Sequence, residues 1–407
     1  MLTYLADWLA LLVRWLHLVA GIAWIGASFY FVWLDNHLLP PREPDEELAG
    51  ELWAVHGGGF YVSRKYRIAP RELPPTLHWF YWEAYTTWLS GFALLCLLYF
   101  ARAEGYLIDP AVAALSKPAA IAVALAVLAV AWFLYDALCR SPLQRRGGAL
   151  GAAALALLFC LEAFVLCRLF SGRGAFMLFG SSLGTIMVAN VLFVIIPGQR
   201  ELVRAKREQR VPDPAPGLRG KQRSVHNTYL TLPVLFVMIS NHYPITFGAP
   251  HNWLVLIAMS LAGAGIRAWF VARHRQAQWQ PGGLAAAIVA AICIVAVVAA
   301  LAPPTRARSD ARGSADSAAD TGELARVQWI VGQRCVPCHA THPTQAGFPV
   351  APNGVVLESL DELRRHLPQV QQQLVTRAMP LGNLTGMTPE ERALLQHWVD
   401  QALASAR

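Results

Sequence analysis

Between Trp8 and Leu301 the chain is dominated by apolar runs, each long enough to cross roughly 30 Å of hydrocarbon as a helix of about 20 residues. Eight such runs are read, at 8–34, 77–101, 118–139, 149–171, 175–197, 225–246, 251–272 and 283–302. Backbone in lipid must satisfy its own hydrogen bonds, so runs of this kind fold as helices packed into a bundle. Pro197, Pro244, Pro250 and Pro281 fall at or near proposed ends, and the gap at 172–174 is the narrowest. The first run is too long for a signal h-region and lacks an evident small-x-small cleavage site, so it reads as a retained anchor. From Ala302 the character changes. Residues 302–321 read as a linker and 322–407 as a small polar domain, which predicts an all-α chain: a polytopic helix bundle over 1–301 followed by a small helical domain.

The net charge of +8 invites a nucleic-acid reading until it is divided by segment. Residues 322–407 hold seven basic and seven acidic residues and 302–321 hold three of each, so the whole excess lies in the apolar part. There, the loops 36–76, 140–147, 198–223 and 273–282 carry 18 Lys/Arg, against Arg102, Lys117 and Arg173 on the opposite side. Positive-inside bias explains this asymmetry, and no nucleic-acid partner is expected. It makes the 18-charge side cytoplasmic and places both termini, with the C-terminal domain, outside: in a bacterium, periplasmic to the inner membrane. Five cysteines, Cys96, Cys139, Cys160, Cys167 and Cys293, stand singly in apolar runs and imply no disulfide framework.

Polar residues inside the apolar runs are the functional suspects, because an ionisable group in hydrocarbon is costly unless paired or solvated. Arg14, His17, Gly21, Trp24 and Ser28 are spaced 3, 4, 3 and 4 apart, one stripe of the first helix. A mid-depth imidazole with a glycine one turn along has the pattern of a haem b site, Arg14 lying near a propionate. The alternative is close helix packing, with His17 bonded to a neighbour. His37, His56, His78 and His226 lie at or near the cytoplasmic surface with Glu83, Asn227, Tyr229 and the 57–59 glycine run, whereas His242 and His251 lie near the outer one. Sixteen residues, about 24 Å of helix, separate His226 from His242, so these two cannot share a site.

Residues 335–339 read Cys-Val-Pro-Cys-His, the motif for covalent haem attachment. Cys335 and Cys338 can add to the two vinyl groups of one haem, and His339 is placed to ligate its iron. The surroundings agree: helical spacing over Gly322–Arg334, Met379-Pro380 in a Gly/Thr/Asn loop, and Thr388-Pro-Glu-Glu391 as a capping box opening a helix over Glu390–Leu403. Met379 is read as the sixth ligand in preference to Met387, whose direction the following cap constrains. The expected cofactor is haem c.

The pattern Trp15-Leu-His17-x3-Gly21-x2-Trp24-Ile-Gly26, the segment Tyr81-Trp-Glu83 and the stretch Val225-His226-Asn227-Thr-Tyr229-Leu-Thr-Leu-Pro233 through Ser240-Asn241-His242-Tyr243 resemble the bacterial membrane-bound urate oxidases (urate hydroxylases). The resemblance covers essentially the whole chain; its first-helix pattern is also similar to that of haem-binding protoporphyrinogen oxidases. It implies oxidation of urate to 5-hydroxyisourate, with electrons passed to the fused c-type haem and on to a respiratory acceptor such as a soluble cytochrome or terminal oxidase. For such a substrate Glu83, His78, His226 and Asn227 are the candidate catalytic and binding residues: a carboxylate or imidazole to take a ring proton, amide or imidazole groups to hold carbonyl edges. Two readings from other classes remain: a haem b and haem c module that oxidises quinol, and a membrane-tethered electron shuttle. Arg14, Glu83 and Glu162 are more than a mere anchor needs.

Overall fold

The computed structural model describes residues 2–145, 148–273, 281–302, 317–346, 348 and 350–405. The architecture is all-α as expected, and the chain opens with α1 (Leu2–Asn36), a single helix, followed by one element the sequence reading did not include. β1 (Leu48–His56) and β2 (Gly59–Tyr66) form an antiparallel hairpin inside the first basic loop. His56 pairs with Gly59 across a two-residue turn in which Gly57 and Gly58 have φ of +57° and +82°, a geometry glycine adopts without steric cost. The 57–59 glycine run therefore makes a turn, with open space around Gly57 and Gly58, and does not wall a polar cluster.

The bundle continues with α2 (Trp82–Leu94), which runs on through a π-helical stretch, Leu95–Phe100, and is followed by α3 (Ala103–Tyr106). Next come α4 (Lys117–Arg140), α5 (Pro142–Arg145), α6 (Gly148–Leu169) and α7 (Gly172–Asn190). The narrow gap between the fourth and fifth runs is a true break: Ser171 caps α7, accepting from the Gly174 amide at 3.0 Å and donating to the Tyr106 carbonyl at 2.8 Å. α7 passes through a second π-helical stretch, Val191–Ile195, into α8 (Ile196–Arg207). Pro197 does not stop this helix: it falls directly after the π-helical stretch, where the backbone hydrogen-bond ladder changes register. α9 (Pro214–Ser240), α10 (Pro244–Phe247), α11 (Asn252–Arg273) and α12 (Pro281–Ala300) complete the bundle.

Among the described residues six helices are long and apolar enough to cross a membrane: Tyr4–Asn36, Lys117–Arg140, Ala149–Leu169, Gly172–Arg207, Asn252–Arg273 and Gly282–Ala300. The other two expected spans, 77–101 and 225–246, lie on α2 with its π-helical continuation and on α9, which pack in the same bundle, α2 on α1 and α9 on α7 and α11. These two are the polar helices. Glu83, Thr86, Thr87 and Ser90 interrupt one, and Ser224, His226, Asn227, Thr228 and Thr231 the other. Between the helices lies a core in which Tyr135, Phe170, Phe176, Phe179 and Leu183 are fully buried. The outward faces are apolar as well: Ile288, Ile292, Val295 and Val298 of α12 stand exposed, as a helix does when lipid is its solvent.

The C-terminal domain comprises α13 (Ser317–Arg334), α14 (Leu360–Arg365), α15 (Leu367–Val375) and α16 (Pro389–Ser405) around its own core of Val327, Ile330, Leu363, Leu374, Leu395 and Val399. The expected capping box is formed: Thr388 Oγ1 accepts from the Glu391 amide at 3.2 Å, and the Thr388 amide donates to Glu391 at 2.8 Å. The segment 376–384 rests on the bundle. A Cβ on Gly105 would meet Leu381 and Leu384 at 3.6 Å, and one on Gly248 would overlap the Thr376 carbonyl oxygen at 1.9 Å. Gly105 and Gly248 belong to loops that the charge count assigned to the outer side.

Candidate functional site

A cavity of about 1320 Å³ opens between α1, the segment 77–80 preceding α2, α7 with its continuation, and α9. Of the four residues predicted for substrate, Glu83, His78 and Asn227 line it; His226 does not. Glu83 sits in the first turn of α2, half-buried, where the positive end of the helix favours a carboxylate. His78 is exposed near the rim, its ring edge-to-face with Phe80 at 4.7 Å. Phe80 in turn meets Phe31 at 5.0 Å, and with Trp24 these rings give the cavity aromatic walls.

Asn227 is buried and its amide is held in one orientation. Its Nδ2 donates to the Met187 carbonyl at 2.9 Å, and its Oδ1 accepts from Asn190 Nδ2 at 2.8 Å. One amide N–H and one lone pair therefore remain for a ligand. Asn190 also donates to Tyr135 Oη at 3.0 Å. The same hydroxyl lies 2.9 Å from His226 Nδ1 and is hydrogen-bonded to it. Adjacent residues on a helix point about 100° apart, which is why Asn227 faces the cavity while His226 faces α4. The chain His226–Tyr135–Asn190–Asn227 nonetheless links the two. Behind it Arg223 is buried, donates to Asp136 at 2.6 Å and lies 5.0 Å over the Tyr135 ring; Arg140 also pairs with Asp136, at 2.7 Å. Sequence reading missed Tyr135, Asn190 and Arg223. The signal for Asn190 was a lone amide within the apolar run Met187–Ile196.

Of the first-helix stripe, His17 and Ser28 contact neighbouring helices, whereas Arg14 does not turn inward. His17 Nδ1 donates to the Thr87 carbonyl at 2.9 Å and lies 3.1 Å from Ser90 Oγ, and Ser28 meets Thr228 at 3.4 Å. The close approach falls at a different glycine from the one predicted: a Cβ on Gly91 would stand 2.8 Å from His17 Cε1, whereas one on Gly21 would only graze Thr87. Thr87 fixes Nδ1 as the protonated nitrogen, leaving Nε2 as the nitrogen able to ligate. Arg14 and His242 are exposed.

In the C-terminal domain, His339 follows Cys335 and Cys338 in one tight turn, its amide donating to the Cys335 carbonyl at 2.9 Å. His339 Nδ1 donates to the Val355 carbonyl at 2.9 Å, so its Nε2 carries the lone pair a metal would take. Burial pushes the Cys335 thiol up to about 12 and raises that of Cys338, so both are neutral thiols at pH 7. The two methionines are treated differently: Met387 is buried in the domain core, while Met379 is half-buried outside it. This donor set fits a c-type haem.

Comparison with known proteins gives one match. The protein-family model described as urate oxidase N-terminal covers residues 3–301. No curated protein and no solved structure matches the chain.

Proposed function

The chain belongs to the urate oxidase N-terminal family, matched from residue 3 to residue 301, and from that premise we propose that it is a membrane-bound urate oxidase that passes electrons to a c-type haem on its own C-terminal domain. The observation that carries this reading is the cavity, which lies wholly within the matched region and brings Glu83, His78 and Asn227 to one space. Its volume of about 1320 Å³ accommodates a planar bicyclic ligand with room to spare.

One urate and one water give one 5-hydroxyisourate, two protons and two electrons. Glu83 is the group to take a ring proton, with His78 at the rim to pass protons to solvent. Asn227 offers its free N–H and lone pair to the carbonyl and N–H edge of the ring, and the aromatic walls exclude water from its faces. His226 acts at one remove, through Tyr135 and Asn190. In the second domain Cys335 and Cys338 would hold haem c through thioethers, and His339 and Met379 would offer their nitrogen and sulfur to its iron. When bound, haem c accepts one electron at a time, so each urate requires two passages to the respiratory acceptor, a soluble cytochrome or terminal oxidase. The setting proposed is a bacterial inner membrane with the cytochrome domain periplasmic.

The cavity reaches inward to Trp24, and His17 lies seven residues, about 10 Å of helix, further toward the outer end. His17, with Arg14 and His242 as the further candidates, would hold a non-covalent haem b, which would supply a one-electron carrier between the cavity and the C-terminal domain. Haem extraction tests this: purified protein active with urate should yield acid-extractable haem beside the covalent kind, and purely covalent haem refutes it. The main reading is tested by adding urate anaerobically to the oxidised protein. The c-haem should become reduced and 5-hydroxyisourate should form; reduction by quinol alone, with urate inert, would favour the respiratory alternative.

A further inference from the structure

Against the cavity lies a second pocket of about 480 Å³, lined by Trp79, Tyr81, Arg200, Val203, Arg204 and Arg207. Trp79 and Val203 line both spaces, so the two adjoin across a shared wall. Its three arginines stand at i, i+4 and i+7 of α8, on one face. They are held there because the helix of α7 does not end at Pro197 but carries this face out past the apolar run. Arg204 is paired with Glu201, which Arg210 also approaches at 3.4 Å. Arg200 and Arg207 have no acidic partner among the described residues. The pocket thus combines unneutralised guanidinium groups with the flat faces of Trp79 and Tyr81. Guanidinium is planar, offers parallel N–H groups and stacks, which suits a small planar anion.

Urate is such an anion at neutral pH. We propose that this pocket is the vestibule through which the anionic substrate reaches the cavity, with Arg200 and Arg207 as its electrostatic attractors. The inference rests on the urate reading and adds to it the face from which substrate arrives: the side of the 198–223 loop. A cleft lined by one sign of charge raises both the local concentration of an oppositely charged ligand and its rate of arrival, in a manner that salt weakens. An anionic phospholipid headgroup is the competing occupant, since arginines near a membrane surface attract it too.

The test uses the full chain in nanodiscs of purely zwitterionic lipid. The catalytic constants for urate are measured from low to physiological salt for wild type, for the double variant Arg200→Gln/Arg207→Gln, and for Arg200→Lys/Arg207→Lys. Wild-type kcat/KM should fall as salt rises. The Gln pair should lie about tenfold lower at low salt and lose that salt dependence, the loss falling in kcat/KM rather than in kcat, and the Lys pair should recover most of it. A Gln pair with wild-type kcat/KM and salt dependence overturns the vestibule while leaving the urate reading intact. So does a difference that emerges only when anionic lipid is added, which marks a headgroup site. A wild type that never turns over urate overturns both.

Discussion

Single side chains carry most of the specificity argued for the cavity, and they do so in a connected set. Asn190→Ala removes the donor that orients Asn227 and leaves Tyr135 Oη one partner short, so KM for urate should rise about tenfold, the equivalent of a lost hydrogen bond of about 1.4 kcal/mol. Steady-state kinetics beside a melting curve separates this from global damage. In the C-terminal domain Arg334 donates to both oxygens of Glu391 at 3.0 Å and, chiefly by those bonds, holds its carboxyl below the ordinary range. A carboxylate whose pKa is lower folded than unfolded stabilises above the unfolded value, and the contribution fades as pH falls through the folded one. Glu391→Gln should therefore cost on the order of 1 kcal/mol at pH 7 by chemical denaturation. The gap to wild type should close in acid. Glu83, His78, Asn227 and the cysteine-histidine motif were legible in the sequence because each is chemically conspicuous where it stands. His226 was misplaced because adjacency in sequence is not adjacency on a helix, and Tyr135 was hidden because a tyrosine in an apolar run reads as packing until its hydroxyl finds partners.

At the scale of elements, the eight apolar runs of the sequence fall on the long helices of the bundle, and six of these helices are long and apolar enough on their own to cross a membrane. α2 and α9 fall short as membrane spans for the same reason that they matter: their threonines, serines, asparagine and carboxylate serve the bundle interior. The hairpin β1–β2 was missed because its alternation is broken by polar residues within a loop read for charge alone, although the glycines at 57–59 are a turn signal. The contact between α1 and α2 offers a test of the His17 proposal. Gly91→Val would force its side chain into a ring now 2.8 Å from the Cβ position, displacing His17. Any acid-extractable haem should be lost while covalent haem stays. Orientation is tested by reporter fusions after Gly217 and after Arg407, which should give opposite topological signals; like signals would mean that the charge asymmetry misplaced one side.

For the molecule as a whole, two cores meet at a small seat. The segment that carries Met379 touches the bundle, through Thr376, Leu381 and Leu384 against Gly248 and Gly105. Gly248→Val leaves no room for the Thr376 carbonyl and should slow urate-driven reduction of the haem, while attachment of haem and its reduction by ascorbate stay as in wild type. Stopped-flow absorbance measures both. On the proposed reading, the union of donor and acceptor in one chain also fixes the kinetic order of the two halves of the cycle. Reduction of the proposed c-haem from within its own chain would be first order, indifferent to how many copies the membrane holds. Its reoxidation by a separate acceptor is second order. Diluting the protein in lipid should therefore leave the first rate untouched and lower the second, driving the haem toward its ferrous state in steady turnover, so that supply of acceptor, and not of enzyme, governs the flux.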